Sequence, residues 1–552
     1  MADTGGLLSH FYVKIDGADA PEALMHDLSK VSVDSSLHLP DVATLILHDT
    51  RLHWIDDGLL APGKSIEISA KSGQTTGVLF DGEIVELEPD FTASTHQLTV
   101  RAFDRLHRLS RGRQVRSFLN VTDGDMMSKL ASEVGLQAKL GPMNQVHAYA
   151  FQNNETNLDF LHSRAVSLGY LLFVKGKTLH CEEPTPQGAP LPLEWGVTLS
   201  EFRPRLTTIN QIDGVMAGGW DPATKEAVTG DAHASPRSPH VGEPKTGAAM
   251  AQDAFHVPAK HLVADRPIRS KAMADQLAQA VADQTACTYI EADGLGSGNP
   301  LIVAGSAVTI TALGNRFSGT YYVTAATHLY EAEHGYSTRI SVSGHHPATL
   351  LSMLTPTPTT TPTGLVIGVV TDNQDPTGAG RVKVKYPWLS NDHASDWARV
   401  VAQGGGAQRG IEFLPEVNDE VLVGFEMGDI HYPYVLGGLW NGKDDPPKKS
   451  NQVVSGGKVQ ERIIRSRTGH IISFDDSDGG GGITIQDKNG NKVMLDSAAN
   501  AMTVEIKGDV TVKATGALKL EAQGQVEIKG MGVKIDGGAA TVDVKGSIIN
   551  LN

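Results

Sequence analysis

The chain has 552 residues, and its 47 Lys and Arg against 63 Asp and Glu give a formal charge of −16, which excludes the broad basic footprint of a nucleic-acid binder. Its 59 glycines and 6% aromatic content favour many turns and short strands over large helical cores, and the length implies three or four domains of roughly 150 residues. Two cysteines, Cys181 and Cys287, exclude a disulfide framework and have no metal-type spacing, so folding in a reducing compartment is expected.

The opening MADTGGLLSHFYVKIDG has no basic segment leading into a long apolar one. No secretory signal is therefore expected, and synthesis in the cytoplasm with release by another route follows. Residues 1–353 read as β-rich with inserted helices. LFDGEIVELEPDF and HQLTVRAFD alternate as strands. Thr122 is a helix N-cap with Asp125 three residues on. Met126, Met127, Leu130 and Val134 supply that helix's apolar face, and Gly135 its stop. A second helix covers NLDFLHSRAVSL, with Leu158, Leu161, Ala165 and Leu168 on one face and Gly169 at its end. LLFV and KTLHC follow as strands. Residues 231–260, rich in Pro, Gly, His and Ala, predict a long loop. A third helix begins after Ser270, and AVTIT, TYYVTAATHLY and STRISVSG complete the strands. Arg105, Arg108, Arg111, Arg113 and Arg116 read as a solvated or interface charge run.

Residues 354–364 alternate Pro and Thr, which favours semi-rigid extended backbone and marks a domain boundary. Residues 365–441 hold five short strands: LVIGVVTD, GRVKVKYPW, ARVVA, EVLVGFEMG and YPYVLGGLW. Five strands in so short a span predict an OB-type barrel. A polar linker, residues 442–460, precedes the final segment, 461–552.

That segment carries a repeat. Val510, Leu518 and Val526 recur every eight residues, as do Val512, Leu520 and Ile528, and Gly508, Gly516, Gly524 and Gly532 keep the same period. One polar residue separates each apolar pair. Each octad is thus a short strand with two residues inward and one outward, then a turn, the pattern of a β-helix. A coil closed by one chain needs three octads per turn, and residues 503–552 would supply only about two coils, fewer than such an array needs. Three chains winding together resolve this, with Val510, Val512, Leu518, Leu520, Val526 and Ile528 packed on the axis. The plain alternative is an ordinary β-meander, which the glycine period disfavours.

GEIVELEP, FDRLHRLSRG and FQNNETNLDFLHSRAVSLGY resemble the phage late-control protein hub. LSEFRPRLT, GWDPATKEA and LGNRFSGTYYVTAATH are similar to its second barrel. GVVTDNQDPTGAGRVKVKYPWLS and EVNDEVLVGFEMGDIHYPYVLGGLWNG resemble the baseplate spike barrel, and RIIRSRTGHIISFDD looks like the neck entering a β-helix. Over nearly its whole length the chain resembles the VgrG-type spike proteins of contractile injection systems. The resemblance implies a mainly β protein: an α+β hub of tandem β-barrels, an OB-type barrel and an intertwined trimeric β-helix. It implies a structural spike joining an inner tube to a membrane-puncturing tip, with no catalytic, cofactor or metal site. The partners it implies are two further copies, a hexameric inner tube protein, baseplate proteins, cargo effectors, a target membrane and a PAAR-type tip protein. We expect the tip protein on Ile548, Ile549, Asn550, Leu551 and Asn552. Some phage spikes place a lysozyme domain between barrel and β-helix, and residues 442–460 leave no room for one. Others end on a His-x-His iron site, and no histidine follows His470. A trimeric fibre-like adhesin or glycan-binding protein is the competing class, and a hydrolase using paired carboxylates a third.

Three constellations point elsewhere only weakly. Asp475, Asp476 and Asp478 lack the later bidentate Glu of a calcium loop. His345 and His346 would point apart on a strand. Gly294, Gly296 and Gly298 do not join a strand to a helix as a dinucleotide fingerprint does.

Overall fold

The computed structural model describes residues 9–92, 96–233, 235, 240–344 and 364–550. The Pro/Thr segment expected at 354–364 lies outside them except for Gly364, as do His345 and His346. The chain divides into two units, residues 1–439 and 440–552.

The first unit is built on an eleven-stranded, antiparallel sheet whose order does not follow the chain. Strands from residues 9–103 occupy one half, and Leu199–Leu206, Ile290–Ser297, Gly335–Val342 and Ala325–Glu331 the other. Leu28–Ser36 pairs with Ala325–Glu331 to join them. The two barrel-like lobes of the hub therefore share one sheet. Each lobe has its own core, one around Val31, Leu45, Ile68 and Val100, the other around Tyr289, Val308 and Tyr321. Strict alternation produces both, because successive side chains on a strand point to opposite faces.

Between the halves lies a mixed lobe. Its first helix, Asp123–Glu133, starts in a capping box in which the Asp125 backbone N–H donates to the Thr122 hydroxyl and the Thr122 backbone N–H to the Asp125 carboxylate. Its second, Asn157–Leu168, ends on Gly169 in the left-handed region, φ 71°. Phe160 joins the expected Leu161 and Ala165 on the buried face, while Leu158 and Leu168 are only partly buried. The third helix, Lys271–Cys287, is capped by Ser270 and packs on the strands Gly214–Asp221 and Glu226–His233.

Two expectations need correcting. The span 231–260 is not a loop: it contains the helix Gly247–Phe255, capped by the Thr246 hydroxyl, and runs into the strand Lys260–Val263. An Ala-rich stretch with a good cap folds despite its flanking Pro and Gly. The arginine run is not a solvated face either. Arg105 is 4% exposed, donates to Asp81 Oδ1 at 2.9 Å and lies 3.6 Å from Glu83. Arg108 is held by Glu83 and donates to the Val134 carbonyl at 2.8 Å, and Arg116 grips Glu133 through both carboxylate oxygens. Only Arg111 and Arg113 are exposed.

Strands Val366–Asp372, Arg381–Lys385, Ala398–Val400, Pro433–Gly438 and Glu420–Phe425 close into a ring. This is the five-stranded barrel the sequence predicts. Its core is not wholly its own. Phe151, on the hub strand Val146–Glu155, packs with Val370, Val384 and Val423, and its backbone N–H donates to His431 Nε2 at 2.9 Å. His431 Nδ1 lies 2.7 Å from Asp429, so a neutral imidazole with its proton on Nδ1 satisfies both contacts. The Tyr149 hydroxyl donates to the Ala394 carbonyl, and Arg269 pairs with Glu426 while covering the Tyr432 ring.

Candidate functional site

In the second unit the span expected as a linker holds a short helix, Ser450–Val453, and a two-stranded ribbon, Val454–Ser455 with Lys458–Val459, and a five-stranded antiparallel meander follows: Glu461–Arg465, Ile471–Asp475, Gly482–Gln486, Lys492–Asp496 and Ala501–Glu505. Its turns are locally encoded. Asp487 Oδ1 accepts from the backbone of Asn489 and Asn491, and Gly490 adopts φ 88°. Gly482 lets two strands meet, since a Cβ there would fall 2.3 Å from the Leu495 carbonyl oxygen. The acidic residues expected in a polar hairpin loop are engaged with neighbours. Asp475 accepts from the Ser477 backbone, Asp476 pairs with Arg462, and Asp478 lies 3.6 Å from Lys458.

The register sorts the side chains. Ile464, Ile472, Ile485, Val493 and Val504 stand opposite one another in a row across the sheet. Phe474, Ile483, Leu495 and Met502 form a second row on the same face. Among the described residues these rows stay exposed or only partly buried: Ile485 is 52% and Met502 64% exposed. The other face carries mostly Ser473, Thr484, Thr503 and charged residues. Sequence reasoning missed this surface, treating the segment only as a neck. The signal was present in the alternation of IISF, ITIQ, VMLD and MTVE.

Beyond Ile506 the octads continue the theme. Among the described residues, 508–550 form no strand with their own chain. The six expected axis residues are all exposed in the single chain, from 56% at Val526 to 74% at Leu520. Ile548 and Ile549 are likewise exposed, Asn550 with them, and Leu551 and Asn552 lie outside the described residues. Exposed apolar side chains in this number mark an association site. The barrel adds a smaller one: Leu365 and Leu436 approach over Gly424, near exposed Ile367 and Trp388, whose Nε1 donates to the Ile367 carbonyl.

In the first unit the titratable groups are structural. Asp123 is buried yet its carboxyl sits below the ordinary value: burial raises it, but a hydrogen bond from His147 and the Arg164 charge outweigh that. His328, fully buried between the Ile302 carbonyl and the Tyr336 hydroxyl, is pushed down to about 4 by burial. Cys181 is buried, and its thiol is pushed up to about 12, chiefly by desolvation. Such a thiol stays protonated and is a poor nucleophile. Among the described residues, no three His, Cys, Asp or Glu side chains converge to hold a metal.

Known proteins match these parts. The Alg8 N-terminal domain matches residues 6–331, more than half of the chain, and the type VI secretion system/phage-baseplate injector OB domain matches residues 366–440. The type VI secretion system spike protein VgrG5 of Pseudomonas aeruginosa is 29% identical over 141 residues, 24% of this chain and 16% of its own length. VgrG3 of Vibrio cholerae is 38% identical over 72 residues, 12% of this chain and 7% of its own. The matched stretch is thus about a sixth, or less, of these curated relatives' length. Two solved structures share the fold. One is an Escherichia coli component of the type VI secretion system, similar to the phage T4 tail proteins gp27 and gp5 (TM-score 0.50, 14% identity, 77% of this chain and 99% of that one). The other is a chain of the Francisella PdpA–VgrG complex (TM-score 0.53, 10% identity, 90% and 80%). With the Alg8 N-terminal domain over most of its first unit and the injector OB domain following it, the chain belongs to the Alg8 N-terminal domain family and resembles the VgrG-type spike proteins.

Proposed function

We propose that the protein is the structural central spike of a contractile injection system and works as a homotrimer without catalysing a reaction. The observation that carries this is the pair of apolar rows on the meander of the second unit together with the apolar pairs of its octads, exposed among the described residues. Covering them with two further copies gives three equal apolar sides and removes the free strand edges that would otherwise invite aggregation. The exposed apolar wall of the OB barrel fits the same arrangement, a collar of three barrels. A shaft paired along its whole length has the kinetic stability that puncturing a membrane requires. The hub, built like phage tail proteins, is the part suited to meet a hexameric inner tube and the baseplate. The segment Ile548–Asn550 offers exposed apolar side chains to a PAAR-type tip protein that continues the strand pairing. Assembly in the cytoplasm, loading with cargo and delivery into a target cell belong to the same proposal.

Light scattering on the purified chain tests the core of it. The expected mass is three times 58.7 kDa. A compact monomer at micromolar concentration overturns it.

A further inference from the structure

The octads carry a second pattern on their outward face. Each presents two polar positions: the residue between its apolar pair and the one just after. These are Lys519 and Glu521, then Glu527 and Lys529, Lys534 and Asp536, Asp543 and Lys545. The two positions are neighbours on one face: Lys519 pairs with Glu521, and Lys534 Nζ lies 3.3 Å from Asp536, all largely exposed. The order of signs inverts at every octad.

We infer that this alternation selects the register in which neighbouring copies of the chain stack, each octad lying in parallel against the next octad of another copy. The inference rests on the trimeric reading and goes beyond it. When three chains wind round one axis, each chain steps to the next side with every octad. On any one side, an octad of one copy then lies against the following octad of another. That stacking sets Lys519 beside Glu527, Glu521 beside Lys529, Glu527 beside Lys534, Lys529 beside Asp536, Lys534 beside Asp543 and Asp536 beside Lys545. Every contact joins opposite signs, and Lys513 extends the ladder onto Glu521.

A slip by one octad is repelled, because it sets Lys519 against Lys534, Glu521 against Asp536 and Glu527 against Asp543. Like charges directly opposite across strands are destabilising. Exposed ion pairs contribute little individually, so the ladder acts less on overall stability than on which register is allowed. The apolar pairs alone cannot make that choice, because Val-x-Val and Leu-x-Leu fit any octad on any other.

An inverted chain tests this: K513E, K519E, E521K, E527K, K529E, K534E, D536K, D543K and K545E together. Its ladder is complementary to itself and clashes with the natural one. The two chains, carrying tags of different mass, are co-expressed at full length and the trimers resolved by native mass spectrometry. The expected result is two homotrimers, with mixed trimers roughly tenfold below their statistical share. A statistical mixture, or an inverted chain that fails to trimerise alone, overturns the ladder while leaving the trimer standing. A natural chain that stays monomeric overturns the trimer itself, and the ladder with it. A two-residue variant, E527K with K529E, keeps composition and net charge. Its trimer should melt below the natural one in dilute buffer, with the gap closing at about 1 M salt, where charges are screened beyond roughly 3 Å. Equal melting in dilute buffer overturns the ladder independently.

Discussion

The two units use the same strand grammar to opposite ends. In the hub, Ile66 and Ile68 alternate with Glu67 and Ser69, and both isoleucines are buried. In the meander, Ile483 and Ile485 alternate with Thr484 and Gln486, and both stay exposed. Alternation thus specifies that one face of a strand will be apolar. It does not specify whether the cover comes from the same chain. The hub supplies its own cover: Ile66 and Ile68 pack into one core with Val31, Leu45, Trp54 and Val100 from other elements of the same unit. The meander's strands pair only with their neighbours in sequence, and its apolar rows stay exposed or only partly buried among the described residues.

If that contrast is right, a core lesion in the second unit should act through association and one in the first unit should not. Leu520→Asp should have the largest effect. Three carboxylates would be desolvated together on one axis and would repel each other, so several kcal/mol per chain is expected. Lys519→Asp, which stays outside, should cost about 1 kcal/mol or less. Equal melting temperatures for the two would refute the assigned facing. Leu45→Ala in the hub core should cost about 3 kcal/mol and, unlike Leu520→Asp, leave the trimer mass by light scattering unchanged.

A pH titration separates the units next. His328 is neutral in the fold, with its pKa pushed down to about 4, whereas an unfolded chain takes up that proton near 6.5. The unfolded state therefore binds more protons between these values, and the contribution of His328 falls as pH drops from about 6.5 to 4. Asp104, pushed up to about 7 by burial, works in the opposite direction over much of that range. The measurable quantity is the difference in unfolding free energy between the natural chain and His328→Gln. It should shrink on acidification by up to about 3 kcal/mol. A difference independent of pH would remove His328 from the account. The smallest effect is expected from ending the chain after Pro447, which should shift the melting of hub and barrel by no more than about 0.5 kcal/mol in stability while weakening the trimer. Loss of cooperative melting would show that the first unit depends on the second.

Much of this was legible residue by residue. The Thr122 and Ser270 caps, the Gly169 stop, the five barrel strands and the octad period are local signals, each confined to a few residues and each decided by steric or hydrogen-bonding rules that need no distant partner. The helix at Gly247–Phe255 was missed because Pro and Gly on either side masked a short capped Ala-rich run. The arginine run was misread because its carboxylate partners, Asp81, Glu83 and Glu133, come from other elements.

The sequence by itself determined where the capped helices Asp123–Glu133, Asn157–Leu168 and Lys271–Cys287 begin, which strand positions alternate between apolar and polar, and that the last fifty residues carry an apolar repeat. These are properties of neighbouring residues. Only the tertiary structure decided that two hub lobes share one eleven-stranded sheet, that Phe151 of the hub completes the barrel core, and that the meander's two apolar rows lie on one side of their sheet. Those outcomes depend on strand register and on pairings between distant segments. Such pairings are set by the closure of the whole chain, and no local window of residues contains that information.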